Sequence, residues 1–208
     1  MKLLLDNGAD VNAKGGFYGN ALQAAVIKGH EVIVRLLLDN GANVNVAVAI
    51  FGSALQAASV EGHEAILKLL LENGADINAE GGEYGSALQA ASIGGHEGIV
   101  KLLLENGADI NAEGGEYGNA LQAAGSHEGI VRLLLDKGAD AIAWGKIYGN
   151  ALQTASASGY QAIVWLLLLN GADINAKGGD YGSALQAASE NGHEAIVKLL
   201  LENGAVTV

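Results

Sequence analysis

The chain has 208 residues, half of them apolar, and its 23 acidic against 11 basic side chains leave a formal charge of −12. Scattered bases among so many acids argue against a nucleic-acid surface, which needs Lys and Arg to displace phosphate counterions, and against an anionic membrane. Cys and Pro are absent while Gly numbers 31, so disulfides, thiol nucleophiles and cysteine metal sites are excluded and many regular helix stops are expected.

The longest apolar run, Ala162 to Leu169, has eight residues, far short of a membrane span. Met1-Lys2-Leu3-Leu4-Leu5-Asp6 meets charge too early for a signal peptide. The expectation is a soluble, cytoplasmic protein.

Self-similarity organises the rest. Ala-Leu-Gln begins at Ala21, Ala54, Ala87, Ala120, Ala151 and Ala184, in steps of 33, 33, 33, 31 and 33 residues. We divide the chain, read as one array over 1–208, into a half repeat 1–14 and repeats 15–47, 48–80, 81–113, 114–144, 145–177 and 178–208. In the half repeat Met1 stands where Val34 stands later, so the opening helix is missing. Repeat 15–47 starts with a turn bearing Phe17, then a capped helix from Asn20 and Gln23 that closes on Ile27-Lys28. Its second helix shows Glu31, Arg35 and Asp39 on one side. Between this unit and the next, Val46 to Phe51 replaces a Gly-rich turn with a β-prone apolar run containing Ile50 and Phe51. Exposed, that run is a contact site or an aggregation hazard; packing against adjacent turns is the alternative.

Repeat 81–113 gives the unit in full. Ser86 and Gln89 form a capping box, the first helix runs from Ala87 to Ile93, and Gly94-Gly95 stops it. A second helix, Glu97 to Asn106, carries Ile99, Val100, Leu103 and Leu104 inward. Glu97, Lys101 and Glu105 lie outward at i, i+4 spacing. Gly107 takes the C′ position, and a Gly-, Asp- and Asn-rich turn follows. Helices this short are marginal alone, so the units must stack.

Repeat 114–144 has Gly125-Ser126-His127 where its neighbour has Ser92-Ile93-Gly94-Gly95-His96. The deletion predicts a first helix about half a turn shorter, or a loop that absorbs the loss. Repeat 145–177 breaks the outer stripe: Gln161, Trp165 and Leu169 stand where other units carry acid, base and acid. Trp165 and Leu169 are read as a docking patch for a partner, a second copy of the chain or another domain of the parent protein, since Trp is enriched in interface hot spots. The plainer alternative lays Trp165 flat on neighbouring stems. Trp144 and Ile147 replace turn acids on the projecting edge and form a separate, weaker candidate. The chain stops at Val206-Thr207-Val208, and neither end shows an evident polar cap, so the expectation is a fragment of a longer protein or a truncated gene.

The run Ala91 to Ala112, with Ser92 in a small-residue slot, resembles the ankyrin repeat family. Ser86-Ala87-Leu88-Gln89 stands for that family's Thr-Pro-Leu-His, and Gly81-Gly82 replaces its fingertip Asp. The phrase GGxYG[NS]ALQAAS is similar to ankyrin arrays of fungal NOD-like receptors, where such arrays form the recognition region. The resemblance implies an all-α, ankyrin-type repeat solenoid: a curved stack of helix pairs with projecting hairpin-like turns.

No constellation carries catalysis. His30, His63, His96 and His193 recur at the array period, and helices 8–10 Å apart cannot share a metal bound at about 2 Å. Glu97 and Glu105 flank a Lys on an open face, where nothing desolvates an acid. GGEYG lacks the Lys and spacing of a phosphate loop. We therefore expect a non-enzymatic scaffold without cofactors that recognises protein, with a spacer or self-associating array as the alternative. Positions after the first helix, such as Ile27 and Ile93, and turn positions such as Phe17 vary while the frame stays fixed. Recognition predicts that pattern, and so does drift at free surface sites.

Overall fold

The structure is a computed structural model and describes residues 1–48, 52–145 and 149–207. Helix α1 (Lys2–Asp6) is followed by six pairs: α2 (Ala21–Ile27) with α3 (Glu31–Asp39), α4 (Ala54–Val60) with α5 (Glu64–Glu72), and α6 (Ala87–Gly94) with α7 (Glu97–Glu105). Then come α8 (Ala120–Ala123) with α9 (Glu128–Asp136), α10 (Ala151–Ser158) with α11 (Gln161–Leu169), and α12 (Ala184–Glu190) with α13 (Glu194–Glu202). Among the described residues there is no β-strand, only isolated antiparallel bridges.

Each first helix starts where a side chain satisfies its free amides. Asn20, Ser53, Ser86, Asn119, Asn150 and Ser183 each accept a bond from the backbone N–H of the Gln three residues on. At Ser53, Asn119 and Asn150 the Gln side chain returns the bond, completing the capping box. Most second helices end on Asn-Gly. The amide of Asn106, for example, donates to Leu102 O at 2.8 Å, and Gly107 follows at φ 89°, a left-handed turn open to glycine.

The projecting turns are narrow fingers closed by bridges such as Gly81 to Gly85 and Gly114 to Gly118. The finger bearing the apolar run is closed by Val48 and Gly52. A Cβ built on Gly19 would stand 2.7 Å from the Val48 methyls, so Val48 packs on the preceding finger. Ile50 and Phe51 lie outside the described residues.

The chain divides into two compact units, Met1–Asp109 and Ile110–Val208. In the first, α4 lies between α2 and α6, and α5 between α3 and α7. Ala57, Ala58, Ala90 and Ala91 are fully buried; a methyl at each allows the first helices to approach closely. Val34, Leu37, Leu67, Leu70, Val100 and Leu103 fill the space behind them. The second unit repeats the scheme with α8, α10 and α12 in front and α9, α11 and α13 behind, around Leu121, Leu134, Leu152, Leu167 and Leu200. Here α8 has four residues against seven or eight in its counterparts, so the deletion removes nearly a full turn rather than the expected half.

Candidate interaction surfaces

Within each unit three kinds of side chain recur as ties between a repeat and its neighbour, and they define the frame against which exceptions stand out. The first is the Gln of Ala-Leu-Gln. Gln56, 1% exposed, donates from Nε2 to Gly81 O at 3.0 Å and Gly85 O at 2.7 Å, while its Oε1 accepts from Ser53 N–H. Gln23 and Gln153 also reach forward to the next finger. The second is the Asn of the NGADINA segment. Asn45 donates to Gly74 O at 3.0 Å and accepts from Asp76 N–H at 2.9 Å, and Asn175 does the same with Gly204 and Val206.

The third is the histidine before each second helix. It makes no cap bond to its own helix; its ring reaches back one repeat instead. His96 Nε2 donates to Val60 O at 3.0 Å, and His193 Nε2 donates to Ala157 O at 2.9 Å, each at the end of a preceding first helix. The ring lies on glycine: a Cβ on Gly62 would stand 2.6 Å from His96, and one on Gly159 2.7 Å from His193.

Two of the three devices change within the second unit. Gln122 still bonds Ala143 O and Gly149 O. Ile142, however, occupies the Asn position and has no amide to offer. Tyr160 occupies the histidine position, and Ser126 replaces the glycine beneath it. The same stretch carries the outer patch. Glu31–Arg35, Glu64–Lys68 and Glu128–Arg132 form i, i+4 ion pairs on their second helices at 3.2, 2.6 and 3.0 Å. On α11 the corresponding residues are Gln161, Trp165 (44% exposed) and Leu169 (64% exposed).

The other candidates fall elsewhere. Trp144 pairs with Asn150 at the base of its finger, and its ring lies on Gly178, whose Cβ would meet it at 3.0 Å. It therefore helps to hold two fingers together while one face stays in solvent. Ile147 lies outside the described residues. Phe17 is exposed and packs edge-on to Tyr18, with centroids 5.2 Å apart, and Lys28 Nζ stands 5.4 Å above the Tyr18 ring. Ile27 and Ile93 are half-buried at the ends of α2 and α6. Sequence reasoning did not single out Tyr160 or Ser126. Both were visible as the one Tyr among histidines and the residue beside the deletion.

A family model described as ankyrin repeats (3 copies) matches residues 1–81, 52–114, 87–178 and 148–208. The chain belongs to the ankyrin repeat family. Its structure is similar to the human ASB11 ankyrin repeat domain, with a TM-score of 0.84, 26% identity, and coverage of 100% of this chain and 93% of that one. It is also similar to the ankyrin repeat domain of Bcl-3, a member of the IkappaB family, with a TM-score of 0.75, 26% identity, and coverage of 93% and 89%. Comparison with curated protein sequences gives no significant match. Ankyrin repeat domains are in general protein–protein interaction modules and typically not enzymes. Among the described residues no helix is long and apolar enough to cross a membrane.

Proposed function

We propose that this ankyrin chain, read as one array, recognises a partner protein through the outer face of α11. The observation that carries this is the exposed pair Trp165 and Leu169, one turn apart where ion pairs stand on other second helices. An indole half in water beside a leucine mostly in water loses hydration when a protein covers it. Burying such side chains fully is worth about 1.5–3 kcal/mol each, and Trp is the residue most often found at interface hot spots. The neighbouring helices α9 and α13 carry the pairs Glu128–Arg132 and Lys198–Glu202, charged rims such as border an apolar centre at protein interfaces.

The double variant Trp165→Lys, Leu169→Glu restores the charge pattern of the other repeats without touching the core. Captured partners and sedimentation of the purified chain are compared between it and the native sequence. Loss of a partner at unchanged stability supports recognition; loss of a homo-oligomer instead assigns the patch to a second copy of the chain. Unchanged association with equal or better stability would show the patch to be surface drift.

A further inference from the structure

The outer face of the second unit is laid out in rows. Helix α11 lies between α9 and α13, and residues 33 apart on the three helices share a level. One row is Arg132, Trp165 and Lys198; one helical turn further on comes Asp136, Leu169 and Glu202. All six side chains are exposed. Each row therefore sets charges of one sign on either side of an apolar side chain, and the sign inverts between rows. We propose that the occupant of this face is a second copy of this chain, docked antiparallel and staggered by one helical turn. The proposal rests on the outer-face reading above and names its partner.

A two-fold axis along the row direction, midway between the two rows, exchanges them. Trp165 of one copy then meets Leu169 of the other, Arg132 meets Asp136 and Lys198 meets Glu202, each contact being made twice. Other registers fail on charge or on apolar contact. Antiparallel copies without the stagger set Arg132 on Arg132 and Lys198 on Lys198. Parallel copies set α9 against α13, base on base and acid on acid. The opposite stagger pairs the charges with the acids of the preceding row, Glu128 and Glu194, but places Trp165 on Gln161. Like charges across an interface suppress the wrong arrangement, and opposite ones fix the right one. Arg132 holds Glu128 of its own helix at 3.0 Å, and its guanidinium has donors left for a second carboxylate. Lys198 and Glu202, 3.8 Å apart, close with the same pair of the other copy into a ring of four alternating charges. Lys137, the cap residue of α9, adds a base at the edge of the second row. The first unit carries the same charge rows with Lys68 at the centre, so it has the pairing pattern without the apolar anchor. Two rows across three helices 8–10 Å apart cover roughly 20 Å by two helical turns. That is small against a standard interface, and the dimer exchanges with monomer.

Sedimentation of the full chain over a wide concentration range is expected to show a reversible monomer–dimer equilibrium, weakened at least about tenfold by Trp165→Ala. Charge exchange tests the register. Arg132→Asp with Lys198→Glu makes the flanks of both rows acidic; Asp136→Arg with Glu202→Lys makes them basic. Each double variant alone is expected to self-associate at least about tenfold more weakly, and an equimolar mixture to recover association as a one-to-one heterodimer. Circular dichroism establishes that each variant folds, and should a double variant fail, Arg132→Asp mixed with Asp136→Arg carries the same test on α9 alone. A native chain that stays monomeric, a dimer indifferent to Trp165→Ala, or a mixture associating no better than its components would overturn the proposal. Capture of a different protein by a monomeric chain, lost on Trp165→Lys with Leu169→Glu, would remove the second copy and leave the outer-face reading standing. Self-association and capture both indifferent to that variant would remove both.

Discussion

Replacing Gln56 by methionine tests the glutamine clamp, because the substitution keeps length and volume while removing the amide. In the native chain that amide serves Ser53 N–H, Gly81 O and Gly85 O. Ser53 and Gly85 are buried, whereas Gly81 is exposed and gains water when its partner leaves. Gly85 O keeps its bond from the Gly81 N–H at 2.9 Å, so one buried group, the Ser53 N–H, is left unsatisfied, and Gln56→Met is expected to cost roughly 1–3 kcal/mol. Gln186 holds the same place in the last repeat but is exposed, with no following finger in this chain. Gln186→Met is expected to cost under about 1 kcal/mol. Urea denaturation of the full chain, followed by circular dichroism and by exchange of the Gly85 amide, reads both variants on one scale. Equal losses for the two substitutions would refute the clamp and leave only a local capping role.

Ile142→Asn restores the missing tie between successive repeats and is expected to stabilise the chain by about 0.5–1.5 kcal/mol, read as a higher urea midpoint. Gln161→Glu combined with Trp165→Lys rebuilds an i, i+4 pair on α11 and is expected to add only about 0.3–0.5 kcal/mol, with the pair weakened by added salt. Inserting Ser-Ile after Ala124 is expected to lengthen the four-residue α8 by about a turn while α9 stays helical, read by NMR.

The local grammar of the fold was legible because its signals are local. Ser86 and Gln89 stand three residues apart, and the cap they predict is a contact across one helical turn; Gly95 at φ 73° stops α6 where the sequence places the stop. The deletion beside Ser126 was legible as a shortened helix, though α8 loses more than expected. The second duty of Gln56 was not legible, since its targets lie 25 and 29 residues ahead and the capping box already accounts for its presence. His96 shows in the sequence only as one of a periodic set of histidines, and its bond to Val60, 36 residues back, has no counterpart in sequence spacing. Trp165 was legible by contrast with its five counterparts. Tyr160 was passed over because a tyrosine at a helix start is unremarkable until the backward reach of the histidines at that position is known.

The forward reach of Gln56, Asn45 and their kin has a consequence for how such a chain changes length. Each of these forward ties is made by one residue of a repeat meeting backbone atoms of the next, at an offset set by the period. Backbone carbonyls are common to all units, so a copied block brings its own donors and finds acceptors already waiting. Insertion of a whole unit therefore breaks one joint and makes two of the same kind, without a compensating substitution elsewhere. A partial loss, such as the two residues missing before His127, enjoys no such protection. It shortens α8 to four residues and leaves a gap in the wall that no neighbouring copy can fill.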